Sequence, residues 1–191
     1  ERISASLGQI RYFEPQRVQM PGVPAVDQAG SAFVADTEFQ LDDRWSVGVS
    51  QQWDPDRELS DLSTLRTQYR FDGQGVVNFA YRFRRDAQTA TRDRVSLEQF
   101  DASTLIPLND RWRLVGRWNY SLLDRTTLEA FAGVEWENCC LATRVLVRRY
   151  IRNFEGEANT SLYVELELKG LSSLGRKSGD LLERAILGYS H

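Results

Sequence analysis

The feature that most constrains this chain is an alternation of oily and polar residues with period two, the spacing at which a strand sends successive side chains to opposite faces. Val77, Phe79, Tyr81 and Phe83 fall on one side, and Asn78, Ala80, Arg82 and Arg84 on the other. Trp112, Leu114, Gly116, Trp118 and Tyr120 oppose Arg113, Val115, Arg117 and Asn119 in the same way. Leu128, Ala130, Ala132, Val134 and Trp136 oppose Glu129, Phe131 and Glu135, while Leu162, Val164, Leu166 and Leu168 oppose Tyr163, Glu165, Glu167 and Lys169. One face is greasy and the other carries full charges. The chain is therefore read as all-β.

Followed end to end, the pattern places ten strands: 1 to 13, 32 to 41, 44 to 53, 62 to 71, 75 to 85, 94 to 107, 111 to 123, 126 to 136, 141 to 152 and 160 to 169. Tight turns fall at 42–43, 72–74, 109–110 and 137–140. Mostly longer links alternate with them at 14–31, 54–61, 86–93 and 153–159, with 124–125 as a short exception. Pro15, Pro21, Gly22, Pro24 and Asp54-Pro55-Asp56 sit in those links, as solvated loops require. An antiparallel meander with two unlike ends follows. Strands of about 10 residues, with turns at one end and loops at the other, fit a transmembrane barrel better than a soluble sandwich, whose strands average about 5 to 6 residues. Tyr12, Phe13, Trp45, Trp53, Tyr69, Phe71, Trp112, Trp136 and Tyr150, near strand ends, are candidates for aromatic girdles. The charged faces must then line a wet lumen, because Arg or Lys at the bilayer midplane on the lipid side costs about 2 to 4 kcal/mol.

Composition removes other classes. No run approaches the roughly 18 apolar residues of a membrane-crossing helix. The 22 Arg and two Lys are outweighed by 27 acids, so nucleic-acid binding is not expected. The single His, His191, leaves no imidazole for a catalytic triad or a histidine metal site, and neither a metal nor a cofactor is expected. Asp42-Asp43 and the Glu165/Glu167 pair are better explained by turn capping and a charged sheet face than by acid–base chemistry or calcium. The chain opens on Glu1-Arg2-Ile3-Ser4 inside an alternating run, so it reads as the end of a longer chain. An open ten-stranded sheet in lipid would have two unpaired edges, so a missing partner sheet is expected.

The only cysteines are the neighbours Cys139 and Cys140, in a tight turn. Adjacent Cα atoms lie about 3.8 Å apart, below the usual disulfide span of about 4.4 to 6.8 Å, so a mutual bond would be strained. Two remote disulfides tying a separate domain to this turn, or two free thiols, remain open from the residues alone.

Leu7-Gly8-Gln9-Ile10-Arg11-Tyr12-Phe13, Asn138-Cys139-Cys140 followed by Ala142-Thr143-Arg144-Val145, and Glu165-Leu166-Glu167-Leu168-Lys169-Gly170-Leu171-Ser172-Ser173 resemble the lipopolysaccharide-assembly outer-membrane proteins of the LptD, or organic-solvent-tolerance, family. The similarity spans essentially the whole chain, which matches only the C-terminal barrel portion of those longer proteins. The resemblance implies a translocation device rather than an enzyme. It would receive lipopolysaccharide from a periplasmic Lpt bridge and insert it into the outer leaflet, with the lipoprotein LptE plugging the lumen and outer-membrane lipids around it. It also implies that Cys139 and Cys140 form disulfides to the N-terminal periplasmic domain, so their turn is periplasmic and the long links are extracellular. Residues 1–170 would supply barrel strands and 171–191 a periplasmic tail, of which Asp180 to Ile186 reads as a short amphipathic segment. The strand bearing Leu162, Val164, Leu166 and Leu168 would be the gate strand, meeting the absent first strand at a seam that opens sideways. Arg82, Arg84, Arg113 and Arg117 are candidate lumen residues, more economically paired with Glu129, Glu135, Glu165 and Glu167 than with phosphates or LptE. A passive porin and an outer-membrane lipid hydrolase are the competing functions. A simple pore has no use for a tethering cysteine pair, and histidine-dependent hydrolysis lacks its imidazole.

Overall fold

The computed structural model describes residues 2–13, 30–55, 58–71, 74–88, 94–151, 157–169, 172–175 and 178–189. They form one antiparallel sheet whose strands neighbour each other in chain order. The strands are β1 (Ile3–Gly8), β2 (Phe33–Gln40), β3 (Trp45–Asp54), β4 (Leu59–Arg70), β5 (Val76–Gln88), β6 (Arg94–Pro107), β7 (Trp112–Ser121), β8 (Thr126–Glu137), β9 (Leu141–Ile151), β10 (Ala158–Leu168) and β11 (Ser172–Gly175). One helix, α1 (Gly179–Ala185), follows. β3 to β10 run 10 to 14 residues, enough to cross a hydrocarbon core at the tilt barrel strands adopt. No helix among the described residues is long and apolar enough to cross a membrane. The ends of the sheet, β1 and β11, are not paired to each other.

The meander is the expected one, with local differences. Ser172–Gly175 adds an eleventh strand against Glu165–Leu168, where the pattern ended the last strand. β1 is shorter than 1 to 13: Ser31 Oγ accepts the Ile10 amide (2.9 Å), and among the described residues pairing continues beyond it as an Arg11–Gly30 bridge. β4 begins inside the expected 54–61 link, because Leu59 and Ser60 pair with Asp54 and Trp53 across a register shift at Gln52/Trp53. Similar shifts at Arg84/Ala87 and Asn119/Tyr120 also sit near the loop ends of their strands. The links 14–31, 86–93 and 153–159 and the 72–74 turn fall wholly or partly outside the described residues.

The tight turns are closed by side chains acting on their own backbone. Asp42 Oδ1 accepts the Arg44 and Trp45 amides (2.8 and 2.6 Å), and Asn109 Oδ1 accepts those of Arg111 and Trp112 (2.9 Å each). Asn138 Oδ1 accepts the Cys139 amide at 2.7 Å.

The two faces differ as the alternation requires. On one face of β10, Leu162 is 61% and Val164 49% exposed, while Glu165 on the other face is 5% exposed. Phe79, Trp112, Leu114, Trp118, Val134, Val145 and Val147 share the exposed apolar face. Aromatic contacts gather there. Trp45, Tyr69 and Phe71 cluster beside the turns (4.8 and 4.9 Å between centroids), and Phe33 and Trp53 meet at 6.0 Å toward the loops. Tyr150 is different: it lies on the polar face beneath the Arg148 guanidinium, 4.7 Å from its ring centre. No second layer covers the apolar face among the described residues. The dry core sits on the opposite face, where α1 and the residues after it are packed.

Candidate functional site

Rungs of the sheet define the site, because residues directly opposite each other share a face. One row on the polar face runs Val76, Leu105, Val115, Gly133, Leu146, Tyr163 across β5 to β10. Its members and Phe131 receive Leu182, Ala185, Ile186 and Tyr189, with Leu182 and Ile186 fully buried. Gly133 makes the row possible: a Cβ there would stand 2.4 Å from Leu146 Cβ and 2.6 Å from the Val145 carbonyl oxygen.

The next row toward the turns alternates in sign. Arg113, Glu135, Arg144 and Glu165 are successive partners across β7 to β10. Arg113 meets Glu135 at 3.2 Å and Glu137 at 2.8 Å. Arg144 meets Glu135 at 3.0 Å, Glu165 at 3.5 Å and Glu167 at 2.7 Å. Arg144 and Glu135 are almost wholly buried, so each charge depends on the others for its partner. Toward the loops, Arg117 binds Asp101 (2.6 Å) and Glu129 (3.2 Å), and Arg148 binds Glu129 at 2.5 Å. Arg82 and Arg84 are exposed on this face and have no ion-pair partner among the described residues. Beside them, Thr64, Arg66, Arg82, Asp101, Arg117 and Asn119 line a polar groove of about 190 Å³.

The tail is held by polar groups as well as oil. The first amides of a helix lack intrahelical partners, and here a carboxylate from β10 supplies one. Glu165 accepts from the Ser178 amide (2.8 Å), the Ser178 hydroxyl and the Gly179 amide (3.3 Å). The Leu187 carbonyl accepts from Gln68 Nε2 (3.1 Å) and Asn78 Nδ2 (3.0 Å). Tyr189 donates to Glu135 Oε1 at 2.6 Å. Burial first, and the adjacent Glu135 carboxylate second, push the Tyr189 phenol above its ordinary value.

Cys139 and Cys140 are exposed free thiols in the β8–β9 turn, with sulfurs 2.9 Å apart. The hydrogen bond and charge of Cys139 raise the Cys140 thiol. The turn abuts the end of β10, since Lys169 donates its amide to the Cys140 carbonyl (3.0 Å) and its ammonium binds Glu137. The structure thus gathers Arg113, Arg117, Glu129, Glu135, Glu165 and Glu167 on one face, keeps Leu162, Val164, Leu166 and Leu168 on the other, and places Arg82 and Arg84 apart from the ion-pair rows.

Pattern reading missed Arg144, Arg148, Ser178 and Tyr189. Arg144 and Arg148 were visible as charges alternating with Val145 and Val147. Nothing local to residues 178–189 marks their docking place.

Comparison with known proteins places this architecture. Residues 1–112 match the family model described as LptD, LPS transport system D. The LPS-assembly protein LptD of Xanthomonas euvesicatoria pv. vesicatoria (strain 85-10) is 45% identical over 99% of this chain and 24% of its own length. That of Xanthomonas campestris pv. campestris (strain 8004) is 44% identical over the same shares, and that of Xylella fastidiosa (strain 9a5c) is 40% identical, again over 99% and 24%. The chain spans about a quarter of the length of these relatives. A family match over more than half the chain, on an all-β meander of membrane-crossing strand length, means that this chain belongs to the LptD family.

Proposed function

We propose that this chain is the C-terminal wall of an outer-membrane barrel that assembles lipopolysaccharide into the outer leaflet, acting as a translocation device and not as an enzyme. The observation that carries the proposal is inverted polarity: an uncovered face of Leu, Val, Phe and Trp backs a face of paired Arg and Glu. In water, such an apolar area would seek a partner; in hydrocarbon, it is the solvated side, and the ionic face then borders a wet interior. A glycolipid with a charged head and several acyl chains needs that wet passage beside an opening into hydrocarbon. A fully closed hydrogen-bonded ladder would offer only the passage.

On this proposal the short turns, with Cys139 and Cys140, face the periplasm, and the long links face outward. The two cysteines are bonded to a periplasmic domain, which receives the lipid from the Lpt bridge. LptE fills the lumen against the polar face, and β10 is the gate strand whose free edge meets the first strand of the barrel for lateral release. Residues 1–170 build wall, and 171–191 form a tail at the periplasmic mouth. Family membership and the turn position of the cysteine pair support these assignments.

The test is depletion of the full-length protein followed by complementation. Surface lipopolysaccharide should fall on depletion and return with the wild type. On nonreducing gels, Cys139→Ser and Cys140→Ser should each alter the oxidised mobility, and the double variant should migrate as the reduced form. Undiminished surface lipopolysaccharide after depletion would overturn the proposal.

A further inference from the structure

Resting on that proposal, we infer that the chain's own tail seals the periplasmic part of the seam, so that lateral opening is confined to the outer-leaflet part of β10. Four of the eleven residues of β10 are already spoken for: Glu165, Leu166, Glu167 and Leu168 pair with Gly175, Leu174, Ser173 and Ser172 on the edge opposite β9. Gly175 lies on that edge, and three residues later Ser178 is on the polar face, bonded to Glu165. Gly175 on the edge and Ser178 on the polar face therefore both stand at the height of Glu165. A first barrel strand can pair along Ala158 to Val164 but meets β11 below that point.

The dimensions agree with this division. Seven free residues at about 3.4 Å each, tilted by about 45°, cover about 17 Å of membrane depth, against about 15 Å for one leaflet's hydrocarbon. An amphiphile leaving sideways through that length delivers its acyl chains to a single leaflet. β11 is also tethered at both ends, by the link from β10 and by the docked helix with its buried Leu182 and Ile186. Displacing it requires undocking α1, whereas the upper edge bears no such anchor among the described residues.

The experiment introduces Leu166→Cys together with Leu174→Cys into the full-length protein, with Cys139 and Cys140 retained. Directly opposite strand residues have Cα separations within or close to disulfide reach. Trypsin cleaves after Lys169, so a disulfide-linked pair of peptides reports the bond by mass spectrometry. The expected result is linkage in the L166C/L174C protein, none in an L162C/L174C control whose positions lie about 14 Å apart along the strand, and no less surface lipopolysaccharide from the linked protein than from the same variant kept reduced. Absence of the linked peptide under oxidant overturns the inference, as does linkage that stops export until reductant restores it. If the substitutions alone abolish export, the next rung, Leu168→Cys with Ser172→Cys, decides by the same two outcomes. Linkage is read independently of export, so a protein that links as expected but whose depletion leaves surface lipopolysaccharide unchanged condemns the parent proposal and leaves the strand pairing standing.

Discussion

Replacing Ile186 by Ala isolates what holds the tail to the sheet. Ile186 is fully buried among the residues that cap the Val76–Leu105–Val115–Leu146 row, and its amide closes the helix end on the Leu182 carbonyl at 2.8 Å. Truncation removes buried methyl and methylene groups while leaving that backbone bond, so the cost is the lost transfer energy plus any cavity, about 2 to 5 kcal/mol for a site of this kind. At about 1.4 kcal/mol per factor of ten, the undocked population rises between about 30-fold and about 4,000-fold. Hydrogen exchange of tail amides in the full-length protein, held in lipid nanodiscs, reads that population directly, because exchange proceeds through local opening. Protection across 182–189 should drop by that factor while amides of β8 and β9 keep theirs. Leu187→Ala, at a side chain that is 64% exposed, is the control and should leave exchange unchanged. A fall of less than about threefold in the Ile186 variant would refute the claim that apolar burial docks the tail.

Gly133→Ala should destabilise the barrel by about 1 to 3 kcal/mol through overpacking against Leu146 and the Val145 carbonyl. Gly116→Ala, whose new methyl group would have its nearest atom at 3.5 Å, should be tolerated; the urea midpoint of protein refolded in liposomes compares the two. Arg144→Met leaves Glu135 and Glu167 short of a cation and should cost about 3 to 5 kcal/mol. The double variant with Glu135→Leu should lose less than the sum of the single losses, a coupling measured by the same midpoints. Val147→Arg places a cation on the apolar face and should cost about 2 to 4 kcal/mol in liposomes if that position sits near mid-membrane. For Tyr189 the sign runs with alkali. Its phenol is held above the ordinary value of 10.0 by burial and by Glu135, so docking contributes fully below that pH and weakens as the pH rises through the folded-state value. Tail protection factors, which divide out the base-catalysed intrinsic rate, should fall only in alkali, and Tyr189→Phe should remove that fall.

How far the fold was legible depended on whether the information was local. β5, β7, β8 and β10 announced themselves because each side chain needs only to know which of two faces it is on, and period two encodes that in the strand itself. Asp42 and Asn109 announced their turns for the same reason, each acting on amides two and three residues ahead. The 4-residue β11 carries too few residues to show a period, and its place is set by the edge of β10. The links between ion pairs were legible only by residue type: Arg113 and Glu135 were plainly on one face, but which charges meet depends on register, which the hairpin turns fix. Cys139 and Cys140 mark the opposite limit, a local motif whose residues alone leave remote disulfides and free thiols both open.

Val115 and Phe131, with Val76, Leu105 and Leu146, form an apolar patch on a face that is otherwise polar. As lumen residues, they make no sense facing water. As the floor beneath Leu182 and Ile186, they explain why the tail docks at one height and not elsewhere along the wall. The dry band lies next to the ionic row Arg113–Glu135–Arg144–Glu165 on its turn side, and on its loop side Phe131 stands directly between Arg117 and Arg148, which reach Glu129 one level further on. Sliding the helix by one rung toward the turns would press its Leu and Ile against the buried Glu135 and Arg144, and a slide in either direction would lose the Glu165 cap. The same geometry fixes how far up β10 the tail reaches, because Ser178 must reach Glu165 while α1 stays over the dry row. On the proposed topology, the length of free seam is therefore not an accident of where pairing happens to stop. It follows from the position of one apolar band on the lumen wall, and moving that band would move the limit of the opening with it.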